Sequence, residues 1–135
     1  MLSDALAAQD QCYEIFASIG WSDHPHCLAL LESQSACLEG LGMLDDAMEA
    51  IERCCAARKT VLGEMHPSFA SALNTKAGIL SSMGRLDEAL QCYETCRRIR
   101  ETTTGKSHRD FATVMNNIGI CKFKLGRYSE ALQML

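Results

Sequence analysis

Along the central stretch of the chain, Leu73, Ala77 and Leu80 share one side of a helical wheel. Ser71, Asn74, Thr75, Gly78 and Ser82, at i, i+3, i+4, i+7 and i+11, share the other. The same division returns one period later, with Thr113, Asn116, Asn117, Ile120 and Lys124 on the polar side. Helical spacing of this kind predicts helices over residues 1–19, 25–41, 44–61, 67–83, 86–103 and 109–125, with a further one starting near Tyr128 and reaching Leu135 after two turns. No stretch alternates as a strand would. Pro25 and Pro67 suit the first turn of a helix, where the missing N–H would be unpaired anyway. Gly42, Gly84 and Gly126 suit helix C-termini, where glycine accepts the left-handed conformation.

The landmarks keep one period of 42 residues: Gly42, Gly84, Gly126; Ala5, Ala47, Ala89, Ala131; His24, His66, His108; and Cys12, Cys54, Cys96. Self-similarity at one long period marks a solenoid, in which each unit buries its apolar face on its neighbours. Helices joined by turns this short must run antiparallel. Ser35, Ala77 and Gly119 on the first helices and Ala47, Ala89 and Ala131 on the second are the small residues expected at each crossing. The reading is a single array over 1–135: a second helix of a partial repeat (1–20), repeats over 24–62 and 66–104, and a repeat over 108–135 cut short in its second helix. Its open half-units leave apolar helix faces uncovered, which raises self-association through the terminal helices as a structural role.

Composition narrows the class. No apolar run approaches the roughly 18 residues of a membrane span, and no N-terminal stretch has the order of a signal peptide. The eight cysteines lie mostly within helical patterns, unlike those of a disulfide scaffold. At the position shared by Cys12, Cys54 and Cys96 a thiol serves as a small hydrophobe, so a reducing, cytoplasmic setting is expected. The net charge of −4 divides unevenly: residues 1–68 hold 3 Lys/Arg and 11 Asp/Glu, a balance of −8, and residues 69–135 hold 10 and 6, a balance of +4. Such polarity steers partners or a neighbouring copy, but Lys and Arg are neither numerous nor interleaved with aromatics, which argues against nucleic acid.

"ASALNTKAGILSSMGRLDEALQCYETC" and "ATVMNNIGICKFKLGRYSEALQML" resemble tetratricopeptide repeats: a Leu or Met, a small residue four on, a Gly seven after that, then Leu or Tyr and Ala. The 42-residue period, "GEMHPSFASALN" and the Asn pair are similar to the longer repeats of kinesin light chains. The resemblance implies an all-α, right-handed α–α superhelix, a solenoid of antiparallel helix pairs. It also implies a non-catalytic module that holds a peptide or partner protein on a concave face built from first helices. The residues it places there are Ser71, Asn74, Thr75, Thr113, Asn116, Asn117, Phe123 and Lys124. Asn carries a donor and an acceptor, so Asn74, Asn116 and Asn117 can pair with an extended backbone of any sequence. Lys122 stands where Leu38 and Leu80 sit, which suggests atypical packing or a shift bringing Phe123 inward. The groove positions Glu32, Ser71, Asn74, Thr113 and Asn116 include no basic residue, against the clamp that related repeats use on chaperone C-termini.

Other chemistry is thin. The recurring histidines read as structural parts of the helix starts. His24, His26 and Cys27 gather metal-type ligands, and Cys92 and Cys96 stand at i and i+4, but no second pair has a finger-like spacing, so no metal or cofactor is expected. Cys27 is the single candidate nucleophile, and nothing resembles a phosphate loop or a nucleophile elbow, so no enzyme activity is expected. Asp45–Asp46 and Asp87–Glu88 follow turns, where the helix dipole favours negative charge.

Overall fold

The computed structural model describes residues 2–105 and 108–126, with side chains from Asp4 onward. These residues form six α-helices: α1 (Leu2–Ser18), α2 (Pro25–Gly40), α3 (Leu44–Leu62), α4 (Pro67–Ser82), α5 (Leu86–Thr103) and α6 (Arg109–Lys124). Each lies within a residue of the span that periodicity predicts, and no strand occurs among the described residues. The helix expected from Tyr128, and Ala131 on it, lie outside the described residues. The chain divides into two compact units, Met1–Glu64 with α1 to α3 and Met65–Leu135 with α4 to α6.

Local chemistry sets the helix ends. His24, His66 and His108 have extended backbone and cap α2, α4 and α6: each ring accepts at Nδ1 from the N–H two residues on, at 3.2, 3.0 and 3.1 Å. One of the four orphan N–H groups of each helix is thereby satisfied. At the other end, Met43 N–H donates to Leu38 C=O at 2.9 Å and Gly42 N–H to Glu39 C=O at 2.9 Å. Arg85 and Gly84 repeat the pattern on Leu80 and Ser81. This double closure needs a left-handed residue, and Gly42 and Gly84 supply it at φ 79° and 82°.

The three-residue turns fold each second helix back on its first, α3 on α2 and α5 on α4. Ala47, Ala77 and Ala89 are fully buried at these crossings, and Ser35, also fully buried, donates its hydroxyl to Glu32 C=O at 2.7 Å. Two thiols bind the pairs further: Cys54 Sγ donates to Leu28 C=O at 3.4 Å and Cys96 Sγ to Ala70 C=O at 3.3 Å, each 26 residues back. Cys12 departs from its expected role: it is exposed, whereas Cys54 and Cys96 at the same repeat position are buried. In the first unit Phe16, Trp21, His24 and His26 form a row of near-parallel rings, with Trp21 and His24 centroids 4.8 Å apart.

A capping histidine differs from a merely tolerated one in a measurable way. His66→Ala should destabilise the protein by about 1 kcal/mol in urea unfolding, whereas His66→Asn, which keeps a capping acceptor, should recover most of the loss.

Candidate functional site

The polar side chains expected to face a partner lie on α4 and α6, both in the second unit. Leu73, Ala77 and Leu80 are buried on the opposite side of α4, as the wheel requires. Asn117 Nδ2 donates to Asn74 Oδ1 at 3.4 Å, joining the two helices by their amides. Both amides are half-buried, while Asn116 is exposed. The threonines have turned inward on their own helices: Thr75 donates to Ser71 C=O at 3.3 Å and Thr113 to Arg109 C=O at 3.0 Å. Their hydroxyls therefore keep only acceptor capacity for a ligand.

Ser71, Asn74 and Thr113 meet at a cleft of about 210 Å³, which Cys96, Arg100, Asp110 and Val114 complete. Thr75, Asn116, Asn117, Phe123 and Lys124 do not line it. Lys124 is exposed near the end of α6. Phe123 does not move inward to compensate for Lys122; it stands 55% exposed, and Lys122 is the half-buried one. The long stem of a lysine can cover apolar surface while its ammonium stays wet, so no shift is needed.

Periodicity on first helices alone misses Arg100, and Asp110 on α6 was not singled out. Arg100 sits on α5, its side chain only 14% exposed, with Nη1 3.6 Å from Asp110 on α6. A signal was present in the chain: Arg58 stands 42 residues earlier, each arginine four places after the thiol that binds its helix pair. A larger cleft, about 320 Å³, lies in the first unit among Leu6, Asp10, Leu31, Gln34, Met43 and Arg53. Arg53 there bonds the Tyr13 hydroxyl and lies 4.9 Å over its ring, Gln34 bonds Asp10, and the carboxylates of Asp46 and Glu49 complete the polar lining.

The remaining chemistry is structural. All eight cysteines are free. Burial, joined by the charge of Asp23, raises the thiol of Cys27, the reverse of what a nucleophile needs. Burial likewise raises Cys92, Cys96 and Cys121, and pushes Cys54 up to about 11 despite the opposing charge of Arg58. The His24 ring already accepts at Nδ1 and stacks on Trp21. Among the described residues, no group of three or more His, Cys, Asp or Glu could hold a metal ion, and no helix is long and apolar enough to cross a membrane.

Comparison with known proteins follows the same lines. A tetratricopeptide repeat family profile matches residues 68–135. No curated protein matches the sequence. Among solved structures, the chain is similar to the nearly identical TPR-like repeats of a Podosopora anserina protein described as a kinesin light chain, with a TM-score of 0.89 and 22% identity over 98% of this chain and 63% of that one. It is also similar to BtubC (BKLC) from P. vanneervenii, with a TM-score of 0.91 and 16% identity over 99% of this chain and 54% of that one. The chain thus spans less than two thirds of either neighbour. At these identities the likeness is one of fold.

The buried thiols give a pH dependence with a definite sign. Cys54 titrates at about 11 in the folded protein against an ordinary value of 9.0, so the unfolded chain loses this proton first. The stability it contributes is complete below pH 9 and is lost as pH rises toward 11. Urea unfolding of wild type and Cys54→Ala should show a constant gap below pH 9 that shrinks steadily above it.

Proposed function

The chain belongs to the tetratricopeptide repeat family, and on that premise we propose that it is a non-catalytic adaptor holding an extended peptide segment against the α4 and α6 face. The family's fold supports an interaction or scaffold role in general. The observation that carries the finer reading is the junction of α4 and α6, where the Asn74–Asn117 amide pair stands beside the Ser71, Asn74 and Thr113 cleft. Amides offer donors and acceptors together, which suits an extended backbone whose own groups alternate in the same way. Asn116 adds an exposed amide, and Lys124 and Phe123 supply a cation and an aromatic ring toward the end of the same helix. A cytoplasmic setting fits eight unpaired cysteines.

A second reading is self-association through α1. Ile15 on α1 and Ile19 just after it are 61% and 56% exposed, whereas Ile99, two periods after Ile15, is fully buried. Sedimentation velocity separates the two: self-association predicts a mass rising with concentration, removed by Ile15→Glu, and a monomer throughout excludes it.

The adaptor reading predicts that random peptide display against the purified protein enriches a motif. Asn74→Ala, Asn116→Ala and Asn117→Ala together should weaken that motif's affinity at least about 10-fold, from the loss of several hydrogen bonds each worth about 1 kcal/mol. Unchanged affinity in the triple variant would sink the reading.

A further inference from the structure

The start of α3, with its N-cap Met43, differs in charge from the same stretch of the later repeats. Where the first repeat carries Met43, Asp46 and Glu49, the next carries Arg85, Glu88 and Gln91. The sequence places Arg127, Glu130 and Gln133 at these positions once more. Three positions whose charges cancel in the later repeats therefore sum to −2 in the first. In the second unit Arg85 Nη2 lies 2.5 Å from Glu88 Oε2, so the chain supplies its own cation to this carboxylate. Met43 offers none, and among the described residues no ion pair reaches Asp46 or Glu49.

Met43, Asp46 and Glu49 all line the first-unit cleft of about 320 Å³. Leu31 and Leu38 of α2 and Ala50 of α3, each buried, give it an apolar floor. Asp10 of α1 adds a third carboxylate; it accepts from the neutral amide of Gln34, which leaves its charge uncancelled. The one cation of the lining, Arg53, is turned to Tyr13, donating to its hydroxyl and lying over its ring. Three carboxylates and one guanidinium leave the cleft at −2, within a unit whose residues 1–64 hold 3 Lys/Arg against 11 Asp/Glu. A long basic side chain suits both parts, its methylene stem on the apolar floor and its cationic head among the carboxylates. The cleft is not a copy of the α4 and α6 face. Leu31 and Leu38 match Leu73 and Leu80 one period on, on the side of the helix away from Asn74.

We propose that this cleft docks a lysine or arginine side chain from a basic segment of a partner protein. The cationic head takes against Asp46 and Glu49 the place that Arg85 takes against Glu88, and the acidic first unit draws the segment in. The inference concerns α1, α2 and α3 and stands independently of the reading of α4 and α6.

Pools of capped, otherwise uncharged peptides with lysine, arginine or norleucine at a fixed central position test this on the full chain. The best lysine or arginine peptides should bind wild type at least about 10-fold more tightly than their norleucine twins. Asp46→Asn with Glu49→Gln should bring that ratio near one. Asp45→Asn with Glu52→Gln removes the same two charges outside the cleft and should leave the ratio intact. Met43→Arg should supply the missing cation from within and abolish the preference. Asn74→Ala, Asn116→Ala and Asn117→Ala together should not change it, so the adaptor reading can fail while this proposal stands, and the reverse. Equal binding of basic and norleucine twins by wild type, or binding of neither, would overturn the proposal. An equal fall in both charge-removal variants would also overturn it, because the attraction would then belong to the acidic surface as a whole. Should circular dichroism show Met43→Arg unfolded, the two charge-removal variants decide, since all four of their altered side chains are exposed.

Discussion

Everything in this structure depends on two helices being allowed to lie very close. A thiol on the second helix reaches a main-chain carbonyl on the first, Cys54 to Leu28 and Cys96 to Ala70, and this is possible only where the crossing is lined by alanine, serine or glycine. The contact is weak as a hydrogen bond and strong as a constraint. It leaves no room for a larger residue at Ala47 or Ala89, and it fixes the register in which the rest of each pair packs. From that register comes the place of the arginine one turn later, and hence the difference between a closed Glu32–Arg58 pair and an open cleft at Arg100.

The fold was nearly all legible in the chain, because its determinants are local. His66 followed by proline, Gly84 at φ 82° and a stripe of Leu73, Ala77 and Leu80 each act within a few residues, and each is repeated. What the chain did not reveal involves groups that meet only after packing. Cys12 matches Cys54 in sequence but not in surroundings, since exposure depends on which helix lies opposite. Lys122 suggested either atypical packing or an inward shift of Phe123, and the shift does not occur because a lysine stem can occupy such a site without help. Arg100 was invisible to a reading that assigned the partner face to first helices, because it stands on a second helix and meets Asp110 of the next repeat only after packing.

The candidate site shows how one scaffold position takes different duties. Glu32 and Asn74 differ in charge and by one methylene: in the first unit the longer carboxylate closes on a buried arginine, and in the second the shorter amide lines a cleft beside Arg100 and Asp110. A buried guanidinium is stabilised by close partners: Arg58 has Glu32 at 2.5 Å, whereas Arg100 has Asp110 at 3.6 Å. Repetition makes the difference visible, since each copy is the reference against which the other is read.

The row of rings around Trp21 has a practical consequence. Trp21 is the sole tryptophan of the chain, and it belongs to the first unit, stacked on His24 at 4.8 Å. Indole emission therefore reports on one unit while backbone ellipticity reports on both. Any offset between the two transitions measures how independently the halves of this chain come apart, with no label attached to either.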